Sequence, residues 1–178
     1  MGQAKLENKK NIGILGGTFD PAHIGHITIS KTARKIFKLN KVIWAITKKN
    51  PFKKKSSLSL NDRIKYAKSI NLKNRFIKIG FYEQKIKSNK TVDLIKYFVK
   101  KNKNSNIFFI MGADNLINFH KWKKSNQIAK MCKIIVFDRS GYKRKSLKSP
   151  FFLKYNKKVI NFIKFKKVNI SSSQLRKI

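Results

Sequence analysis

The sequence predicts an α/β protein with a doubly wound, Rossmann-like and mainly parallel β-sheet. Short apolar runs of strand length alternate along the chain with longer stretches of helical periodicity, the pattern of a sheet that carries helices on both faces. Glycine or polar residues directly follow several of these runs, and open α/β sheets bind ligands at such strand ends. The 178 residues suffice for one hydrophobic core, so we expect a single domain over residues 1–178.

The first strand, predicted over Ile12–Leu15, leads into a glycine-rich turn and then into a helix. Gly16 and Gly17 can take backbone conformations that other residues avoid, and they let a ligand come close. The first free N–H groups of a helix attract anions, so we predict that this turn binds phosphate. The apolar residues that recur at helical spacing after the turn are Ile24, Ile27, Ala33, Ile36 and Phe37.

Two histidines, His23 and His26, lie at the start of this predicted helix. If the helix has begun by His23, their spacing projects both imidazoles from one face of its first turn. Gly25 between them keeps the approach to that face open. We interpret the pair as functional groups that face the ligand at the helix N-terminus, with a purely structural role as the alternative.

The following segments continue the alternation of strands and helices. A second strand is predicted over Val42–Ile46, and Pro51 prevents the loop after it from becoming helical. This completes a parallel βαβ unit. Lys53–Lys55 in the loop belong either to a solvated surface or to a ligand site beyond the strand end. Further on we expect a helix from Leu60 to about Ile70, a strand over Phe76–Ile79, and a helix to about Lys101 with Thr91 as its N-cap and Val92, Ile95, Phe98 and Val99 inward.

The most hydrophobic run, Asn106–Met111, is predicted to be a central strand buried on both faces. Asp114 follows it and is well placed to bind a ribose hydroxyl or, alternatively, to cap the next helix. The segment Lys143–Asn156 has little periodicity beyond Phe151-Phe152-Leu153. The remaining predictions are a short helix from Asn115 to Phe119, a helical stretch to Met131, a strand over Lys133–Phe137, a turn at Asp138–Tyr142 and a last strand within Val159–Phe165.

The C-terminal stretch Ile170–Arg176 places three serines before what is predicted to be one helical turn. Their hydroxyl groups can cap the turn or donate to a ligand, and Arg176 can bind a phosphate through two N–H groups. Serines before a helix are common, so this pattern is informative only in combination with the glycine-rich turn.

The formal charge of +37 would suit a nucleic acid or an anionic membrane. Only six of the 44 basic residues are arginines, which proteins that bind phosphates and DNA grooves favour. Lysine is spread along the whole chain, without clustered arginines or aromatic platforms. We therefore attribute the charge to a compositional bias on solvated faces and expect no specific nucleic-acid partner.

Two further features of the composition concern the cellular setting. No apolar run approaches the roughly 18 residues of a membrane-spanning helix, so we expect no membrane partner. Cys132 is the single cysteine and can form neither an intrachain disulfide nor a zinc cluster. A reduced, cytoplasmic location is therefore expected.

Taken together, the motifs resemble those of one enzyme family. The segment Gly16–His26, which ends in His23-Ile24-Gly25-His26, is similar to the signature of the HxGH nucleotidyltransferases. Gly112-Ala113-Asp114, with Phe119 and Trp122 after it, resembles the nicotinate-nucleotide adenylyltransferase branch. Further matches are the Asn50–Lys53 loop, Asp62-Arg63, Glu83 before Thr91, Arg139–Tyr142 and Ile170–Arg176. The resemblance implies a nucleotidyltransferase-type fold and transfer of AMP from ATP to nicotinate mononucleotide, which gives deamido-NAD and pyrophosphate in NAD biosynthesis.

The resemblance also implies roles for individual residues. The catalytic residues would be His23, His26 and Arg176. ATP would contact Gly16, Gly17, Thr18, Phe19, Gly25, Gly112, Asp114, Ile170, Ser172 and Ser173. The acceptor would contact Asn50, Lys53, Thr91 and Trp122, with a place in the core as the alternative for Trp122. Mg²⁺ would be carried on the ATP phosphates, without protein ligands.

Three questions stay open at this level. Lys90 stands where the family usually has an aromatic residue before the threonine, and its charge could favour a carboxylate on the acceptor. Related enzymes that use nicotinamide mononucleotide or phosphopantetheine are alternatives within the superfamily, and a basic nucleic-acid-binding protein is the alternative outside it. Assembly into a homo-oligomer is left open.

Overall fold

A computed structural model describes residues 9–49, 56–155 and 158–164 of the chain. The six strands of this part form one sheet in the order β3-β2-β1-β4-β5-β6, and every neighbouring pair is parallel. The predicted fold class is confirmed. The strands are β1 (Lys10–Gly17), β2 (Lys41–Ile46), β3 (Ile77–Phe81), β4 (Ser105–Gly112), β5 (Lys133–Phe137) and β6 (Ile160–Ile163).

Helices connect consecutive strands, as parallel pairing requires. A 3₁₀ turn over Phe119–Lys121 lies between the fifth and sixth helices. The helices are α1 (Ile24–Phe37), α2 (Leu60–Ser69), α3 (Glu83–Ile86), α4 (Thr91–Lys101), α5 (Ala113–Ile117), α6 (Ser125–Met131), α7 (Lys143–Leu147) and α8 (Pro150–Tyr155). Within the described ranges, none of them is both long and apolar enough to cross a membrane.

The sheet separates two apolar cores, because alternate residues of each strand point to opposite faces. On one face Trp44 and Ile110 pack against Ile27 and Ala33 of α1 and Ala67 of α2. On the other face, the second core is formed by Ile14 and Phe109 of the sheet with Ile95 of α4, Leu116 of α5 and Ile128 of α6. The sheet thus has helices on both faces.

The strand order reverses between β1 and β4, the two central strands. The expectation that Asn106–Met111 forms a central, doubly buried strand is confirmed by β4, in which Ile107–Met111 are all buried. At such a reversal the loops leave the sheet in opposite directions and open a crevice at the carboxyl ends of the strands. Gly17 ends β1 and Gly112 ends β4, so these two of the four predicted ligand-contacting glycines lie at this crevice.

One local expectation was wrong: Thr91 does not cap α4, since Lys90 is the N-cap residue and makes no side-chain capping bond. The amphipathic helix predicted after the glycine-rich turn is confirmed by α1, although Ile24 and Ile36 are 48% and 50% exposed and its buried face is formed by Gly25, Ile27, Ser30 and Ala33.

The segment after Tyr142, which has little periodicity, contains α7 and α8. Tertiary contacts explain them, since Phe151 is buried and its ring lies 4.6 Å from that of Phe119.

Candidate active site

In the turn between β1 and α1, the residue with a positive φ is not, as was expected, one of the two glycines. Neither Gly16 nor Gly17 has a positive φ, whereas Phe19 does, at 49°. A Cβ added to Gly16 would meet only Phe109 at an ordinary 3.6 Å, and one on Gly17 would meet the ring of Phe19 at 3.4 Å. The predicted conformational role of the two glycines was wrong, and what their small size provides is open space at the end of β1.

His23 and His26 cap the start of α1 reciprocally. The helix begins at Ile24, so His23 is its N-cap residue and not part of its first turn. Nδ1 of His23 accepts the backbone N–H of Gly25 at 3.1 Å. Nδ1 of His26 accepts the backbone N–H of His23 at 3.2 Å, and the two ring centroids are 3.9 Å apart. This is the arrangement of a capping box, built here from two imidazoles.

The capping bonds determine what the two rings present to a ligand. Each Nδ1 accepts an N–H, so in a neutral ring the proton resides on Nε2, which becomes a hydrogen-bond donor. Burial, reinforced by the positive charge of Arg139, lowers the pKa of His23 to about 4. His23 is therefore a neutral donor at pH 7. The pair offers two N–H donors at a helix N-terminus, which is suited to phosphate oxygens.

The aromatic rings of Phe19 and Trp44 pack next to the ring of His26. The ring of Phe19 lies 4.7 Å from that of His26 and 4.9 Å from that of Trp44, which has no exposed surface. The indole N–H of Trp44 donates to Ser30 Oγ at 2.8 Å, and this hydroxyl donates to the carbonyl of His26 at 2.8 Å. Phe19 itself is 2% exposed, so its ring belongs to the core and only its backbone can face ATP.

The end of β4 brings a carboxylate toward the same crevice. Gly112 is the N-cap of α5 and Asp114 is its second residue, so the alternative of Asp114 as an N-cap is excluded. A Cβ on Gly112 would lie 2.5 Å from Oδ1 of Asp114, so a larger residue here would displace the carboxylate. Oδ2 of Asp114 accepts from Nη1 of Arg139 at 2.8 Å. Arg139, which follows β5, thus pairs with this carboxylate and also lies close enough to His23 for its charge to lower the pKa of that ring.

Sequence reasoning assigned no role to three residues that organise the site: Arg63, Asp20 and Glu83. Arg63 is 2% exposed and its guanidinium donates to three backbone carbonyls, the first of them that of Thr18 at 2.6 Å. Asp20, 3% exposed, accepts the backbone N–H groups of Ser57 and Leu58, which precede α2. The spacing of Arg63 and Ala67 on one helix face was the available signal for the burial of Arg63.

Two of the predicted acceptor residues, Thr91 and Trp122, are described by the structure, and each adjoins in sequence a lysine that borders a cleft. The cleft has a volume of about 810 Å³ and is bordered by Lys48, Glu83, Lys90 and Lys123. Thr91, the first residue of α4, and Trp122 are the sequence neighbours of two of these lysines. Trp122 is partly buried against Phe119 at 4.9 Å, so it belongs in part to the core.

Several predicted site residues lie outside the described residues. They are Asn50, Lys53, Ile170, Ser172, Ser173 and Arg176. The structure brings together the remaining ATP-side residues at the carboxyl ends of β1 and β4. Among the residues it describes, no group of three or more His, Cys, Asp or Glu side chains is arranged to hold a metal ion.

Comparisons with known proteins identify the family and agree with the fold. The family described as Cytidylyltransferase-like matches residues 14–178. A probable nicotinate-nucleotide adenylyltransferase of Pelagibacter ubique is 63% identical over 172 residues, which cover 97% of this chain and 95% of the relative. The fold is similar to that of a Plasmodium falciparum nicotinic acid mononucleotide adenylyltransferase complexed with APC, with a TM-score of 0.73, 21% identity and coverage of 94% and 83%. The same enzyme complexed with NaAD gives a TM-score of 0.72 at 20% identity, with the same coverage.

Proposed function

The chain belongs to the cytidylyltransferase-like family and, within it, to the nicotinate-nucleotide adenylyltransferases, and on that premise we propose that it transfers the adenylyl group of ATP to nicotinate mononucleotide. The products are deamido-NAD and pyrophosphate, and the reaction is a step of NAD biosynthesis. A phosphate oxygen of the acceptor attacks the α-phosphorus of ATP, and the bond from that phosphorus to the bridging oxygen of the β-phosphate breaks.

This chemistry asks the protein for positioning and charge stabilisation. The attacking phosphate oxygen is already deprotonated at neutral pH, so no general base is needed. Two polyanions must be held in line, and the charge that develops on the leaving pyrophosphate must be stabilised. Neutral N–H donors at a helix N-terminus can do this without the desolvation cost of a buried cation.

The observation that carries the proposal is the reciprocal cap of His23 and His26. It fixes both rings at the N-terminus of α1, where the open ends of β1 and β4 meet. We assign the Nε2–H groups of both rings to the ATP phosphates, and Gly16, Gly17, Thr18, Gly25 and the backbone of Phe19 to the surrounding turn. Arg176, Ser172 and Ser173 remain predicted ligands of the β- and γ-phosphates, and Ile170 belongs to the same segment.

Asp114 is proposed to bind the ribose of ATP, with Gly112 leaving room for its carboxylate. Arg139 restrains that carboxylate from one side and leaves Oδ1 to accept from a hydroxyl. On the acceptor side, the pyridine ring is proposed to lie against Trp122 and its carboxylate near Thr91, and Asn50 and Lys53 remain predicted acceptor contacts. The lysine-bordered cleft next to them suits an acceptor that carries a phosphate and a carboxylate.

Mg²⁺ is proposed to enter as part of the ATP substrate. This ion keeps several waters and takes few protein ligands when phosphate oxygens are present. Asp20 in the turn and Asp114 after β4 already have partners in the protein, since Asp20 accepts backbone N–H groups and Asp114 accepts from Arg139. A cytoplasmic location is proposed in addition, because Cys132 is the single cysteine and can form no intrachain disulfide.

Pyrophosphate release from MgATP, measured with each candidate acceptor in turn, tests the proposed function. Release should be fastest with nicotinate mononucleotide and slow with nicotinamide mononucleotide or phosphopantetheine. The product should carry both the adenylyl group and the pyridine ring when analysed by mass spectrometry. Faster release with phosphopantetheine would leave only the superfamily assignment standing.

A further inference from the structure

Arg63 lies on α2, outside the residues assigned to ATP or the acceptor, yet it is among the most buried side chains of the described chain. Nη1 donates to the carbonyl of Thr18 at 2.6 Å and to that of Thr47 at 2.9 Å, and Nη2 donates to the carbonyl of Lys48 at 3.2 Å. Thr18 belongs to the phosphate-binding turn, whereas Thr47 and Lys48 follow β2. One side chain therefore joins two loops that reach the site from different strands.

These three carbonyls lie where the sheet can no longer hold the two loops together. The β1–β2 pairing ends at Gly17 and Ile46, and the N–H of Thr47 makes a further bond to the carbonyl of Gly17 at 2.9 Å. Thr18 and Thr47 are the next residues of their loops. The guanidinium of Arg63 thus continues the connection between β1 and β2 beyond the last bond of the ladder.

Two buried or half-buried carboxylates strengthen the junction that Arg63 forms between the turn after β1 and the loop after β2. Asp20, in the phosphate-binding turn, accepts the N–H groups of Ser57 at 2.8 Å and Leu58 at 3.0 Å, just before the helix that carries Arg63. Glu83 accepts from the hydroxyl of Thr47 and from the N–H of Lys48 at 3.2 Å. Both carboxylates also oppose the lowering of the pKa of Arg63 by burial.

The junction leads directly to the catalytic histidines. Thr18 precedes Phe19, whose φ of 49° turns its ring onto His26 at 4.7 Å. A shift of the carbonyl of Thr18 would therefore move Phe19 and, with it, the ring of His26, which is proposed to donate to ATP. Displacements of about 1 Å at a reacting site can lower a rate about 100-fold, so loss of this restraint is expected to lower the rate measurably.

We infer that Arg63 is a positioning residue, which sets the phosphate-binding turn against the end of β2 and so couples the ATP side of the site to the acceptor side. The inference rests on the proposed function. A lysine cannot replace the arginine here, because one ammonium cannot reach three carbonyls with the geometry of a planar guanidinium. The effect of a substitution should therefore appear in catalysis at temperatures where the variant is fully folded.

The experiment compares Arg63→Lys with Arg75→Lys, a matched change at an exposed arginine. For each protein, kcat and KM for both substrates are measured well below the melting temperature. We expect Arg63→Lys to lower kcat/KM for ATP and for the acceptor at least about tenfold, and Arg75→Lys to leave both unchanged. In Arg63→Ala, millimolar guanidinium should restore part of kcat, whereas the same concentration of ammonium should not.

A lower melting temperature with wild-type kcat/KM in Arg63→Lys would overturn the inference and leave Arg63 a purely structural residue. If Arg63→Ala does not fold, the kinetics of Arg63→Lys decide alone. If the wild-type protein transfers AMP to no acceptor, the proposed function fails, and the inference is decided by calorimetric titration with ATP. Arg63→Lys should then still weaken ATP binding relative to Arg75→Lys, and equal affinities would contradict it.

Discussion

The ring of His26 accepts the backbone N–H of His23, the residue whose own ring caps the same helix, at 3.2 Å. The two histidines proposed to donate hydrogen bonds to the ATP phosphates are therefore also the two capping residues of α1. Their structural and catalytic roles overlap. The alternative that the pair is structural is correct in part, since a capping box does stabilise a helix start. A test of catalysis must separate these two contributions.

We predict that His26→Ala and His26→Glu lose activity to a similar extent but differ in stability. Glutamate can accept at this position of a capping box, whereas alanine cannot, so only His26→Ala should lose about 1 kcal/mol of unfolding free energy. Neither side chain has an N–H donor to replace that of the imidazole, and by analogy with the loss of one oxyanion donor kcat should fall at least about 10²- to 10³-fold. Steady-state kinetics and urea unfolding measure the two effects.

His120→Ala is the control for these variants, because His120 is an exposed histidine of the 3₁₀ turn. It should keep wild-type kcat and stability. A His26→Glu variant that retains more than half of the wild-type kcat would show that the ring acts only as a cap.

The low pKa of His23 predicts a specific dependence of stability on pH. Its folded-state pKa of about 4 lies below the value of 6.5 for an unfolded histidine. Between pH 4 and 6.5 this histidine is therefore protonated in the unfolded chain but not in the folded protein. The contribution of His23 to the free energy of unfolding is complete above pH 6.5 and is lost as the pH falls toward 4. Urea unfolding at pH 7 and pH 4.5 should show a larger loss for the wild type than for His23→Gln.

Arg139 contributes to the low pKa of His23, so we predict that its removal raises this pKa. Its positive charge disfavours protonation of His23, so Arg139→Met should raise the pKa of His23. An NMR titration of the imidazole Cε1 proton measures this directly. Lys143→Met, a charge change after the same turn, is the matched control, and an equal shift in both variants would mean that Arg139 has no special proximity to the site.

How far the sequence predicts this molecule depends on which interactions decide each feature. Apolar runs define β2, β4 and β5 because strands buried on both faces need continuous hydrophobic sequence. The positive φ of Phe19 was not predictable in the same way, since it depends on burial of the ring between His26 and Trp44. Short-range rules assign such a conformation to the neighbouring glycines, and they failed here.

Arg63 shows the same limit for the site. A charged residue on a lysine-rich helix is expected to face water, and no local pattern states which carbonyls it meets. Its three acceptors come from loops 45 and 16 to 15 residues away along the chain. Pair spacing can place His23 and His26 together, because they are only three residues apart at the start of one helix, but contacts across loops require the folded chain.

The charge of +37 predicts weak, non-specific binding to DNA and no specific nucleic-acid site. Lysines dispersed over solvated faces neutralise phosphates without reading bases, so binding should be indifferent to sequence and largely lost between about 50 and 200 mM salt. Fluorescence anisotropy with two unrelated duplexes of equal length measures this. A strong preference for one duplex that persists at physiological salt would contradict the assignment of the charge to composition alone.

The acceptor preference is the prediction on which the branch within the family depends. Nicotinate mononucleotide and its amide counterpart differ by a carboxylate against a carboxamide, so discrimination needs hydrogen-bond donors or positive charge near that group. The hydroxyl of Thr91 at the start of α4 can donate, and Lys90 and Lys123 border the adjacent cleft. We expect kcat/KM to favour the acid by at least about tenfold, which corresponds to roughly 1.4 kcal/mol.

Two substitutions separate the hydrogen-bond contribution from the charge contribution. Thr91→Val removes a donor at nearly constant volume and should reduce the preference while leaving the KM for ATP largely unchanged, because the residue lies on the acceptor side. Lys90→Gln removes a charge next to it and should reduce the preference more at low salt than at high salt, since screening weakens only the electrostatic part. Lys78→Gln, at an exposed position of β3, is the matched control. If the wild-type enzyme uses both acceptors equally, the nicotinate assignment fails, and if only Lys90→Gln changes the ratio, charge and not Thr91 selects the acid.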